Sequence, residues 1–219
     1  MIIVQEVKTK KGMRTFADYP FRLYKDNPCY VPSFRSDEEN IADPKKNPNL
    51  EDCEIRCFLA YKDGRLAGRI AGIIQKKYNK VSGRRCIRFS RFDCIDDEQV
   101  AAALLKAVED YGREKGMDTI HGPWGFNDQD REGLLTYGFD RRATYCTNYN
   151  YPYYEKLVKS QGFTDESEWL EYDFVIPDKV DERIARIADR LKDKFKVREV
   201  ADDGPMRKLI KIYGRRAIA

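Results

Sequence analysis

The sequence predicts an α/β (α+β) fold, a sheet flanked by helices, and three observations carry that reading. Residues 53–79 form two apolar strand patterns around Lys62-Asp63-Gly64-Arg65, and Asp-Gly is the favoured pair for a tight hairpin. Residues 92–118 pass from the end of an apolar strand through a short polar turn into a helix with one apolar stripe. Along the chain the patterns follow in the order strand, helix and irregular arm, hairpin, strand, helix, strand, loop, helix, strand.

The first strand is "IIVQEV". "GMRTFADYPFRLYKD" is helical in pattern through Met13, Phe16 and Phe21, with Pro20 expected to bend or interrupt it. The Pro-, Asn- and Asp-rich stretch 27–52 reads as an irregular arm with one helical turn near Ser36 to Ile41. In the hairpin, Gly68 and Gly72 weaken the second strand and let a neighbouring element approach. "SGRR" is a turn and "CIRFSRFDCI" a third strand. In the helix that follows, Val100, Leu104, Ala107, Val108 and Tyr111 share one face, Asp96 with Gln99 forms a capping box, and Gly116 ends it. "MDTIHGPW" is a strand, residues 125–148 a long polar and aromatic loop, and "YPYYEKLVKSQGF" a short helix starting near Pro152. "SEWLEYDFVIP" has a strand pattern. "DKVDERIARIADRLKDKF" is an amphipathic helix with Ile184, Ile187, Ala188 and Leu191 on one side.

The chain has 219 residues, 42% of them hydrophobic, so it can bury a sizeable core. Its net charge of +4 permits an anionic ligand without requiring one. No apolar run reaches the roughly 18 residues of a membrane span, and the N-terminal residues lack the order of a signal peptide, so a cytoplasmic protein is expected. None of the six cysteines makes a C-x-x-C pair, and no metal site is expected. His121 is the only histidine, and the absence of G-x-S-x-G argues against serine-hydrolase chemistry. The aromatic run at 145–154 could stack bases, but few basic residues lie near it, so nucleic-acid binding is a minor reading. "VQEVKTKKGMR" near the start aligns without gaps on "VREVADDGPMR" from Val197, which raises the expectation of a second copy of the fold that breaks off at Ala219.

The order of elements, the hairpin "FLAYKDGRLAGRIAGII", the stretch "VAAALLKAVEDYGREKGMDTI" and the late "YYEKLVKSQGF" resemble the GCN5-related N-acetyltransferase (GNAT) superfamily. "YNKVSG", "DPKKNP", "GLLTYGFD" and "YNYPYYEKL" resemble a bacterial subgroup of longer proteins with a second GNAT-like half. The resemblance implies a central mixed, mostly antiparallel twisted sheet. It also implies a GNAT-like domain at 1–177, a connecting helix at 178–194 and the start of a second GNAT-like domain at 195–219. It implies acyl transfer from acetyl-CoA to a small-molecule or peptide amine, with a second half or a homo-oligomer as partner. Carried over, Asp93, Cys94 and Ile95 would supply strand-end backbone N–H groups, and the turn from Asp96 and Asp97 to Val100 would face the pyrophosphate. Asn127 would contact the cofactor, and Tyr154 would be the acid that protonates the leaving thiolate.

The turn departs from the family pattern Q/R-x-x-G-x-G/A: it reads "IDDEQVA", acidic and without glycine. A carboxylate about 5 Å from a phosphate charge costs roughly 3 kcal/mol at an effective dielectric near 20. The helix terminus returns about 0.3–1 kcal/mol, or up to about 2 in a partly buried geometry. "YEKLVKSQGF" also carries four more residues between Tyr and Gly than the family's "YEKLGF". Two readings follow: an N-acetyltransferase, or a non-catalytic GNAT-like module with a degenerate CoA turn that supports a second half.

Overall fold

The computed structural model describes residues 1–192, 194 and 195, in two units, Met1–Trp169 and Leu170–Ala219. The expected second copy, with its strand and helix, lies outside the described residues apart from Phe195.

In the first unit, β1 (Ile2–Glu6), β2 (Cys53–Lys62), β3 (Arg65–Gln75), β4 (Cys86–Cys94) and β5 (Thr119–His121) form one sheet in chain order. The first three junctions are antiparallel and β4–β5 is parallel, which is the mixed, mostly antiparallel sheet the resemblance implied. Asp63 and Gly64 both take positive φ, 50° and 78°, as the tight hairpin turn requires.

Helix α4 (Glu98–Glu114) lies on one face of the sheet and buries Val100, Leu104, Val108 and Tyr111. Its approach depends on two glycines of β3. A Cβ on Gly68 would stand 2.7 Å from Leu104 and 2.9 Å from the Cys94 Cβ, and one on Gly72 would stand 3.1 Å from Tyr111 and Val108. Helix α1 (Lys10–Leu23) covers the other face, where Phe16 packs with Cys57, Leu59, Ala71 and Ile73.

Pro20 does not interrupt α1, which continues to Leu23. Proline removes the N–H that would bond the Phe16 carbonyl, and the guanidinium of Arg69 on β3 takes that carbonyl instead at 3.0 Å. A tertiary contact thus satisfies the group that the proline leaves open.

Three other expectations change. Residues 76–82 continue neither strand nor turn: they form helix α3 (Lys76–Ser82), ended by Gly83 at φ 69°. The cap of α4 is Asp97 rather than Asp96. Residues 167–177 form no strand, and Trp169, Phe174, Val175 and Ile176 stand exposed. An alternating pattern makes a strand only where a ladder partner completes its hydrogen bonds, and this segment pairs with no described strand. The arm carries α2 (Arg35–Glu39), and α5 (Tyr153–Lys159) starts after Pro152 as expected. In the second unit, α6 (Glu182–Lys192) is helical as expected and exposes Ile184, Ile187 and Leu191. No helix among the described residues is long and apolar enough to cross a membrane.

Candidate functional site

Strands β4 and β5 pair only from Cys86–Thr119 to Arg88–His121. Beyond that point Trp124 N–H still donates to the Phe89 carbonyl (2.8 Å), after which the chain enters the long loop. On its other edge β4 is irregular: the register shifts between the pairs Arg69–Asp93 and Ala71–Ser90, and Arg91 takes φ 49°. A bulge of this kind re-aims the side chains beside it. The result is a cleft along the second half of β4.

At the end of β4 the backbone donors are engaged. Cys94 N–H donates to the Tyr154 hydroxyl (2.8 Å), and Ile95 N–H donates to the Ala67 carbonyl (3.0 Å). At the first turn of α4, Asp97 Oδ1 accepts from Gln99 N–H and Val100 N–H, both at 3.1 Å, and its other oxygen pairs with Lys62. The Lys62 hydrogen bond, assisted by those two N–H groups, holds the Asp97 carboxyl below its usual range. Asp96 and Glu98 are exposed. These residues do not fit a CoA pyrophosphate. The N–H groups that would bind it already serve a carboxylate, the nearby lysine is engaged by the same carboxylate, and two further acids flank the turn.

Tyr154 is fully buried. Its hydroxyl sits 3.1 Å from the Cys94 carbonyl and 3.2 Å from the Tyr24 hydroxyl, which donates to Asp93 Oδ1 at 3.1 Å. Burial pushes the Tyr24 and Tyr154 hydroxyls well above the ordinary tyrosine range, so both stay protonated in neutral solution. Tyr30 stacks on Tyr24 at 4.3 Å, and Tyr153 stacks on Tyr154 at 4.8 Å. The aromatic run therefore packs largely against itself.

On the α1 side of the sheet lies a buried ionic network that the sequence gives no local sign of. Arg69 donates to Asp93 Oδ2 (2.7 Å) and Glu38 Oε2 (2.8 Å). Arg91 approaches Glu38 Oε1 at 3.4 Å and binds both oxygens of Asp130 at 2.7 and 3.0 Å. Burial works against the charged form of Glu38, but Arg91 and Arg69 outweigh it and hold the carboxyl below its ordinary value of 4.5. Burial likewise opposes the charge on Arg69, while Asp93 and Glu38 raise it beyond its ordinary value. The network ties α2, β3, the β4 bulge and the 125–150 loop together. A cavity of about 210 Å³ opens above it, lined by Arg69, Arg91, Asp93, Arg131, Tyr145 and Tyr149 among others. Chemically, the cavity offers carboxylates, guanidinium groups and tyrosine side chains.

Of the residues singled out from the sequence, Asp93, Cys94 and Tyr154 meet at the strand end. Ile95, Asp96 and Asp97 form the turn. Asn127 stands exposed on the loop, where it donates to Asn49 (3.2 Å) and accepts from Gln129 N–H (2.9 Å). Tyr24, Glu38, Arg69 and Arg91 escaped sequence reasoning. Only Pro20, which deprives the Phe16 carbonyl of its helical donor, marks locally where one of their contacts falls.

No family model matches the chain. Two curated relatives are each 30% identical to it: Protein YghO of Escherichia coli over 162 residues, 74% of this chain, and the Bacterial ceramide synthase of Caulobacter vibrioides over 167 residues, 76% of this chain. The chain spans 41% and 44% of their lengths. Among solved structures, a tandem GNAT protein from the clavulanic acid biosynthesis pathway superposes with a TM-score of 0.50 at 10% identity, over 74% of this chain and 43% of that one. Together with the sheet order, the single parallel junction and the helix that follows β4, this likeness shows that the chain has the fold of the GCN5-related N-acetyltransferase superfamily.

Proposed function

We propose that the chain is the acceptor-side part of an N-acyltransferase, GNAT in fold, whose own strand–turn–helix does not hold acyl-CoA. The observation that carries this is Asp97. Its carboxylate occupies Gln99 N–H and Val100 N–H, the donors a pyrophosphate would need. Around it, Tyr154 closes the Cys94 N–H in the same way. N-acyl transfer as the reaction class is supported by the fold and by the relative named as a ceramide synthase, since a ceramide is an amide. The share of the relatives that the chain spans agrees with a role as one half of a longer protein.

The test is calorimetric titration of the 219-residue chain with acetyl-CoA. The expected result is no saturation up to about 1 mM, a binding free energy weaker than about −4 kcal/mol. Micromolar affinity would overturn the proposal.

That result would favour the second reading, acyl transfer by this chain from acetyl-CoA to an amine, which the cleft beside β4 and the position of Tyr154 support. In that reading Tyr154 supplies the proton to the leaving group, and Tyr154→Phe slows turnover without changing affinity for acetyl-CoA. An unchanged rate removes Tyr154 from the mechanism. A nucleic-acid surface gains no support, because Tyr149 and Tyr154 are buried.

A further inference from the structure

Arg131, on the 125–150 loop, lines the cavity. Its Nε donates to the Tyr145 carbonyl (2.9 Å), and the guanidinium lies 5.4 Å from the Tyr145 ring centre, so the group is held in place. Its Nη2 is buried and bonds nothing. A buried N–H without an acceptor keeps its full desolvation cost, so the position calls for an acceptor from outside the chain.

The carboxylates of the cavity bond other groups and leave Arg131 Nη2 without an acceptor, while each oxygen of Asp93 takes a single bond. Glu38 uses both oxygens on Arg69 and Arg91, Asp130 uses both on Arg91, and Asp93 binds Arg69 and Tyr24. Three buried or half-buried carboxylates (Glu38, Asp93, Asp130) face three guanidinium groups (Arg69, Arg91, Arg131), which balances to zero, with Asp37 exposed at the rim. A cavity whose buried and half-buried charges balance, with Arg131 unsatisfied and the Asp93 carboxylate also in its lining, suits a ligand that carries both signs. Its volume of about 210 Å³ falls below the ~300–1,000 Å³ of sites for drug-sized ligands, which leaves room for a molecule of amino-acid size.

We propose that this cavity binds the acceptor as a small zwitterionic amine, its oxyanion on Arg131 and its ammonium group towards Asp93. The oxyanion is a carboxylate or a phosphate. The inference rests on the reading of this chain as the acceptor-side part, and it is tested without acyl-CoA.

The 219-residue chain is titrated separately with L-serine, O-phosphoethanolamine and ethanolamine. Serine and phosphoethanolamine carry an oxyanion, and ethanolamine is the amine alone. One of the two zwitterions is expected to bind at least tenfold more tightly than ethanolamine, and the tighter one identifies the oxyanion. Arg131→Gln should abolish that advantage, while Arg131→Lys, which keeps the charge, should retain part of it. Thermal melts of both variants check that they fold, and the ranking of the three probes on the unaltered chain stands without them. Equal affinities, no binding by any probe, or an advantage that survives in a folded Arg131→Gln would overturn the proposal. Micromolar binding of acetyl-CoA would overturn the acceptor-side reading and leave the probe ranking to be judged by itself.

Discussion

At the scale of single residues, the arrangement turns on Arg69. Pro20 frees the Phe16 carbonyl, Arg69 takes it, and the same guanidinium holds Asp93 and Glu38. A charge this deeply buried is tolerated only with partners, and removing one partner of such a pair costs about 3–5 kcal/mol. Glu38→Gln is therefore expected to destabilise the fold by that order in urea denaturation at pH 7. The loss should depend on pH. The Glu38 carboxyl titrates below its ordinary value of 4.5 in the folded chain, so its contribution is complete above about pH 4.5 and fades as pH falls through the lower folded value. The gap between the unaltered chain and Glu38→Gln should then narrow in acid. A gap that stays constant from pH 7 to pH 3 would show that the carboxylate charge is not what stabilises the network.

Among the elements, α4 decides how the chain is closed at the end of β4. Its sequence shows three successive acids, Asp96, Asp97 and Glu98, and its apolar face is legible from periodicity alone. Which acid caps the helix is not legible, because helix ends fall within one or two residues of their signals. Lys62, far away in sequence, draws the carboxylate of Asp97 inward. Asp97→Ala should destabilise the chain by about 1 kcal/mol, within the usual 0.5–2 for a lost cap, and Asp96→Ala by less than about 0.5 kcal/mol. Equal losses in paired thermal melts would return the cap to Asp96. The hairpin glycines were legible for a related reason, since a β3 carrying two glycines implies a close neighbour. Gly68→Ala would push a methyl group into Leu104 and the Cys94 Cβ, at 2.7 and 2.9 Å, and should cost about 1–3 kcal/mol by overpacking. The strand pattern of residues 167–177 misled because alternation describes what a strand buries and not what it pairs with.

For the first unit as a whole, element order and core faces were readable because periodicity is local, while the ionic network was not, because its members come from α2, β3, β4 and the loop with no shared spacing. The same contrast yields a test of how the unit holds together. Its core has two halves, one on each side of the sheet: Cys94 packs with Val100, Leu104 and Val108, and Cys57 packs with Phe16, Leu59 and Ile73. No disulfide joins the six cysteines, and Cys146 alone is exposed. Burial pushes the Cys57 thiol up to about 12 and raises that of Cys94 as well. Since the thiolate is the reactive form, neither should react in the folded state. Labelling at each requires an opening that exposes it. β2 and β3 contribute side chains to both halves, and Arg69 crosses from the sheet to α1, so one half should not open without the other. Pulsed alkylation read by mass spectrometry should modify Cys146 at once, and Cys57 and Cys94 together, at one common rate that rises with urea along the global unfolding curve. Cys94 reacting well before Cys57 would mean that the α4 side opens alone, and the sheet would then join two independent layers rather than one cooperative core.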